Sequence, residues 1–146
     1  ENGLRAGTES MPLIAAFGAA SEIAAADMAE SCVRMASLRA LTVDRISWEI
    51  PEAVFIGGGA PHILSLSLPG YRSEVLMNFL EARGIYVSKS SACKKGGRSH
   101  VLEAMGLAPK IIDGALRVSL SRYTTREDIL AFCAALRDAR DTLAHS

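Results

Sequence analysis

Apolar positions along the chain recur with two spacings, and the change from one to the other marks the elements. From Ser10 to Arg45 an Ala-rich stretch carries Ile14, Phe17 and Ile23, then Met28, Met35, Leu38 and Ile46, at helical intervals. Ser10 is placed to cap this helix and Pro12 falls in its first turn, where a missing N–H costs little. The pattern predicts one long helix or two abutting ones, ending before Pro51. Ala53–Ile56 is a short β-like run closed by Gly57-Gly58-Gly59. Beyond it, Ile63–Leu68 alternates, with Leu64, Leu66 and Leu68 on one face and Ile63, Ser65 and Ser67 on the other.

Pro69-Gly70 ends that strand. Ser73 is then placed to cap a helix through Val75, Leu76, Phe79 and Leu80, stopped at Gly84. Ile85–Val87 is expected as a brief strand before a polar loop, Ser88–Arg98, and a short helix from Ser99 to Met105 halted by Gly106. Ala115–Leu120 alternates again, turning Leu116, Val118 and Leu120 inward and Arg117 and Ser119 to the opposite face. Thr124 and Glu127 have capping-box spacing, ahead of a helix with Ile129, Phe132, Cys133, Leu136 and Leu143 on one side.

The expected fold is α/β (α+β): a small three- to four-stranded sheet, mixed or antiparallel, with helices packed mainly on one face. Its 146 residues suit one domain, and 49% hydrophobic residues suffice for a core. Sixteen basic residues balance sixteen acidic ones, so nothing electrostatic points to nucleic acid or an anionic membrane as partner. No uninterrupted apolar run approaches the roughly 18 residues that span a bilayer. The chain begins with Glu1 and its opening residues carry no signal-peptide pattern, which reads as a cut end. Three cysteines without metal or disulfide spacing fit a reducing cytoplasm.

Cys93 carries the sharpest chemical signal. It lies in Ser90-Ser91-Ala92-Cys93-Lys94-Lys95-Gly96-Gly97-Arg98-Ser99-His100, where the cations favour a thiolate and the glycines allow the sulfur to move. An incidental exposed thiol in a surface loop stands as the alternative. Cys32 and Cys133 sit among apolar helical neighbours and read as small buried hydrophobes. Arg117, mid-strand on the face away from the core, is suited to hold a carboxylate through two parallel hydrogen bonds; a solvated strand face is the bland alternative. Arg5-Ala6-Gly7-Thr8-Glu9-Ser10, before a helix, offers a phosphate cradle or an ordinary cap. The Gly57-Gly58-Gly59 run lacks a strand–GxGxxG–helix context and implies no nucleotide, and His62 and His100 receive no role.

These pieces occur together in an order that resembles cysteine desulfurases of the NifS/IscS type, in the class V aminotransferase superfamily. Gly3-Leu4-Arg5-Ala6-Gly7-Thr8 resembles their G-x-R-x-G-T segment. Ser90-Ser91-Ala92-Cys93, with Ser99-His100-Val101-Leu102-Glu103-Ala104-Met105-Gly106-Leu107, resembles their catalytic-cysteine loop and the helix after it. Leu116-Arg117-Val118-Ser119-Leu120-Ser121-Arg122-Tyr123-Thr124-Thr125 resembles a substrate-binding strand and turn, and Ala60–Leu68 the strand between. The resemblance covers the chain from end to end, and the cysteine loop is its most specific part.

The resemblance implies that residues 1–146 are the C-terminal small domain of a homodimeric fold-type-I enzyme that uses pyridoxal phosphate. Such an enzyme takes sulfur from L-cysteine, leaving alanine and a persulfide on Cys93. The sulfur then passes to an acceptor such as an iron–sulfur scaffold or a tRNA-thiolation protein. Arg117 is implied as the ligand of the substrate carboxylate, and Thr8 as a contact to the cofactor phosphate of the neighbouring subunit. The family's cofactor-binding lysine follows a histidine in a large domain; Lys89, Lys94, Lys95 and Lys110 have no such context. The chain alone is therefore expected to be inactive. Five residues separate Cys93 from Ser99, a shorter interval than in many members of that type. A selenocysteine lyase or divergent relative, a non-catalytic interaction module and a regulatory amino-acid-binding domain are the rival readings.

Overall fold

A computed structural model of the chain describes residues 3, 7–89 and 98–144. Among the described residues nine elements follow in order: α1 (Met11–Glu49), β1 (Val54–Ile56), β2 (Ile63–Ser67), α2 (Ser73–Glu81), β3 (Ser88–Lys89), α3 (His100–Ala104), α4 (Pro109–Asp113), β4 (Ala115–Ser119) and α5 (Arg126–Thr142). The strands form one sheet in the order β1-β2-β4-β3, with every neighbouring pair antiparallel.

Alternation sets the two faces. Leu64 lies opposite Val118 and Leu66 opposite Leu116, so the β2–β4 pair shows the core one continuous apolar stripe. That stripe is buried under α1, α2 and α5, through Leu38 and Ile46, Leu76 and Leu80, and Ile129, Phe132 and Leu136. The reverse face carries Ser65 opposite Arg117 and Ser67 opposite Ala115. There a smaller cluster of Ile56, Leu102, Ile112 and Ala115 seats the two short helices α3 and α4. The three long helices thus share one face, as the pattern predicts.

The seat of α4 is close. The Ser67 hydroxyl, fully buried, donates to the Ile111 carbonyl at 2.6 Å. Gly114, between α4 and β4, approaches β2 so nearly that a Cβ there would lie 2.2 Å from the Leu68 carbonyl oxygen. Only glycine lets the chain pass from α4 into the sheet at this point.

Several local expectations shift by a residue or more. Ser10 does stand before α1, yet its side chain makes no capping hydrogen bond, because its ψ of 86° is not that of a regular cap. Arg72, not Ser73, is the N-cap of α2; Ser73 is its first residue, buried, with its hydroxyl on the Glu74 carboxylate. The capping box of α5 is Thr125 with Asp128: the Thr125 hydroxyl accepts from the Asp128 N–H at 3.1 Å, and the Asp128 carboxylate from the Thr125 N–H at 2.8 Å. Thr124 closes the preceding turn by accepting from the Ser121 N–H. Ile85–Val87 is not a strand; the paired residues are Ser88 and Lys89. Gly84 and Gly106 do end their helices, each at positive φ with the next residue's N–H reaching the carbonyl five residues back.

Helix α1 differs most from expectation. Its 39 residues run about 58 Å, longer than the small sheet can cover. Leu38, Thr42 and Ile46 are buried, whereas Ile14, Phe17, Ile23 and Met28 are all exposed, Phe17 by 76%. Although charged residues interrupt its apolar stretches, α1 is long and apolar enough to cross a membrane by length and composition alone, with a mean hydropathy of 1.2 over its most apolar 18-residue window, none of it buried. The middle of the helix is nonetheless tied to the turn after β4, by an Asp27–Arg122 ion pair at 2.8 Å and by Arg34, which donates to the Thr124 carbonyl at 2.7 Å. Between them runs an open groove of about 510 Å³ lined by Ala24, Met28, Met35, His62 and Leu120.

Candidate functional site

Arg117 stands at the centre of the sheet face opposite the main core, half-buried. Ser65 on β2 and Ser88 on β3 are its direct cross-strand neighbours. Its Nε donates to the Ser88 hydroxyl oxygen at 3.1 Å, and that hydroxyl donates in turn to the Arg117 carbonyl at 3.4 Å. Alternation along Ala115–Ser119 puts the side chain where the sequence predicts.

Cys93 lies outside the described residues, but both places where its segment joins the fold are described. On one side, Lys89 pairs with Leu116 in the sheet and its ammonium is bonded to the Glu74 carboxylate of α2. This bond holds the Glu74 carboxyl below the usual range. On the other side, Arg98 grips Asp113 of α4 with two parallel hydrogen bonds of 2.7 Å each. Those bonds likewise hold the Asp113 carboxyl low. Ser99 then caps α3, its hydroxyl accepting from the Leu102 N–H. Lys89 and Arg98 therefore anchor the two ends of the segment near the start of β4, Lys89 on the α2 face of the sheet and Arg98 through α4 on the face that carries Arg117.

Arg98, one of the cations expected to favour the thiolate, is ion-paired with Asp113; Lys94 and Lys95 lie outside the described residues. Asp113 and Ser88 escaped the sequence reading. A Pro after Ala108 was the signal for α4, with Pro109 in its first turn, but five residues are too few to show a period.

Thr8 is exposed, just before α1. About 25 Å of helix separates Ser10 from Asp27, the position at which α1 is ion-paired to the turn after β4. The other two cysteines are free: Cys32 is half-buried, and Cys133 is buried, where loss of solvent pushes its thiol up to about 11. No group of metal-ligating side chains occurs among the described residues. Of the lysines, Lys89 is bonded to Glu74 and Lys110 is exposed on α4, so neither fits a cofactor-holding position.

Fold and site together define an α/β domain that presents an aimed guanidinium beside a segment whose sequence carries a thiol. The family profile for class V aminotransferases matches residues 1–132, and the chain belongs to that family. It is 36% identical over 130 residues to cysteine desulfurase IscS of Methanosarcina thermophila, covering 86% of this chain and 32% of that protein. With a cysteine desulfurase of Klebsiella pneumoniae it shares 33% over 148 residues, 98% of this chain and 37% of the relative. Among solved structures, a NifS-like protein superposes with a TM-score of 0.83 at 34% identity, over 97% of this chain and 36% of its own. A NifS-like protein from Rickettsia africae gives 0.81 at 25% identity, over 95% and 37%. The chain thus spans about a third of the length of the relatives it matches.

Proposed function

We propose that this chain is the small domain of a pyridoxal-phosphate-dependent cysteine desulfurase, with Cys93 as sulfur carrier and Arg117 as ligand of the substrate carboxylate. The observation that carries the reading is that both ends of the Cys93 segment are anchored, at Lys89–Glu74 and Arg98–Asp113, and that Ser88, the residue before Lys89, is hydrogen-bonded to Arg117.

The steps assigned to this chain are few. Arg117 binds and orients L-cysteine. The Cys93 thiolate attacks the substrate sulfur; the carbon–sulfur bond breaks with its electron pair on the substrate carbon, which is later protonated to give alanine. Cys93 keeps the sulfur as a persulfide and hands it to an acceptor protein. Pyridoxal phosphate supplies the electron withdrawal that makes the carbon–sulfur bond breakable. By the family resemblance it would be held by a lysine outside these 146 residues, since Lys89, Lys94, Lys95 and Lys110 all lack the family's histidine–lysine context.

Thr8, exposed just before α1, suits a contact to the cofactor phosphate of a neighbouring subunit in a homodimer. The exposed apolar positions of α1 suit cover by the rest of the intact protein better than a bilayer, because the helix is ion-paired at Asp27 and hydrogen-bonded through Arg34 to the turn after β4. The free Cys32 and Cys133 suit a reducing cytoplasm. Replacing Cys93 by Ser in the intact protein is the test. Loss of alanine formation from L-cysteine, with the cofactor still bound, is expected; unchanged turnover would remove Cys93 from the reaction. The 146-residue chain alone is expected to release no alanine.

A further inference from the structure

We propose that Ser88 is a positioning residue for Arg117, turning the guanidinium so that its two terminal nitrogens, and not Nε, receive the carboxylate of the amino-acid substrate. This rests on the reading of Arg117 given above and adds the residue that aims it.

An arginine side chain has several rotatable bonds and two edges that can grip a carboxylate: Nε with one Nη, or the two Nη together. A bare strand face does not choose between them. Here Ser88 sits directly opposite Arg117 in the β3–β4 pair. Its hydroxyl has one proton to give, and gives it to the Arg117 carbonyl, so its lone pairs are turned to the Arg117 Nε. Nε is thereby engaged, and the edge that remains is Nη1/Nη2. Among the described residues neither terminal nitrogen has a hydrogen bond or an ion pair.

The nearby charges lead to the same assignment. The two cations that bound the Cys93 segment are each engaged with a carboxylate, Lys89 with Glu74 and Arg98 with Asp113, and Arg72 also acts on Asp113. Among the described residues no acidic side chain pairs with Arg117. Its charge is left for a ligand, and the ligand that fits a guanidinium end-on is a carboxylate or another planar two-oxygen anion. Because Ser88 immediately precedes Lys89, where the Cys93 segment leaves the sheet, one hydroxyl sets both the aim of the guanidinium and the start of that segment.

The test uses the intact protein, with a Ser88→Ala variant and the pair Ser88→Thr and Ser88→Val. Thr and Val have nearly equal volume, both suit a strand, and only Thr keeps the hydroxyl. Arg117→Ala is the reference. KM for L-cysteine and the competitive inhibition constant of L-alanine are measured for each, with kcat and melting temperature. Losing one charge-assisted hydrogen bond that aims a binding group is expected to raise both constants about 3- to 10-fold in Ser88→Ala and Ser88→Val. Over that range kcat and melting temperature stay nearly constant, and Ser88→Thr behaves like the parent. In an Arg117→Ala background the Ser88 substitutions have no further effect on either constant.

If Arg117→Ala leaves both constants unchanged, the carboxylate reading fails and the positioning role with it. If Arg117→Ala raises them while Ser88→Val matches Ser88→Thr, Arg117 binds the carboxylate unaided and only the role of Ser88 is overturned. A fall in kcat or in melting temperature at constant KM would also overturn it, assigning Ser88 to the fold or to the Cys93 segment instead.

Discussion

Arg98 and Asp113 are joined by two parallel hydrogen bonds, Nε to Oδ1 and Nη2 to Oδ2, each 2.7 Å long. The pair ties the end of the Cys93 segment to α4, and α4 is itself seated on β2 through Ser67 and Gly114. The position at which the chain re-enters the fold after Cys93 is thus referred back to the centre of the sheet.

Asp113→Asn is expected to weaken this tie without unfolding the protein, because both partners are partly exposed and solvent screens them. The Asp113 carboxyl is held below its ordinary range by the Arg98 hydrogen bonds. Its contribution is therefore present above the ordinary carboxylate range and is lost as pH falls through the lowered value. Denaturant unfolding at pH 7 and at successively lower pH checks it: the variant should be slightly less stable at pH 7, and the difference should shrink as pH falls through the lowered Asp113 value.

Gly114→Ala should be far more damaging. A Cβ at this position meets the Leu68 carbonyl oxygen at 2.2 Å and its carbon at 2.9 Å, and backbone cannot step aside as a side chain can. A loss of about 3 kcal/mol is expected, at the upper end of overpacking costs. Thermal unfolding of the variant measures it, and a change under about 0.5 kcal/mol, the ordinary surface range, would contradict the close seat of α4.

The buried Cys133 thiol is pushed up to about 11 from an ordinary 9.0 by loss of solvent, with the Glu49 carboxylate adding to the shift. A raised folded-state value means that its contribution to stability is whole below the unfolded value. That contribution is lost as pH rises through the folded value, so stability should decline between about pH 9 and pH 11. In the native protein at pH 8, an alkylating reagent should modify half-buried Cys32 and leave Cys133 untouched until denaturant is added. Mass spectrometry of the labelled peptides gives the order directly.

Thr125→Ala should cost about 1 kcal/mol, the usual worth of an N-cap side chain, and Thr125→Ser almost nothing. The pair tests the register of the capping box, since the alternative spacing at Thr124 and Glu127 predicts no such sensitivity at Thr125.

What could be read from the sequence follows from the length over which a period repeats. Five or six alternating residues in Ile63–Leu68 and Ala115–Leu120 were enough to place Leu64, Leu66, Leu116 and Val118 inward and Arg117 outward. The two-residue β3 was not legible. Ile85 and Val87 are apolar because they pack against the core after α2, while the sheet pairing falls on the polar Ser88 and Lys89 that follow. Helix α1 was legible as a helix, but periodicity says that a face wants cover and not what covers it. Ile14, Phe17 and Ile23 accordingly repeat as core residues do and stand exposed. The thiol and the guanidinium were evident from residue type and face. Ser88 and Asp113 were not: their partners Arg117 and Arg98 lie 29 and 15 residues away, and only the fold brings them together.

The central claim is that Cys93 takes sulfur from L-cysteine, and it can be tested at the atom. The intact protein is turned over with L-cysteine and pyridoxal phosphate, trapped with an alkylating agent and digested, and the Cys93 peptide is weighed. The account predicts one extra sulfur on Cys93, absent when the bound cofactor is first reduced in place. A Cys93 peptide without added sulfur during active turnover would contradict it.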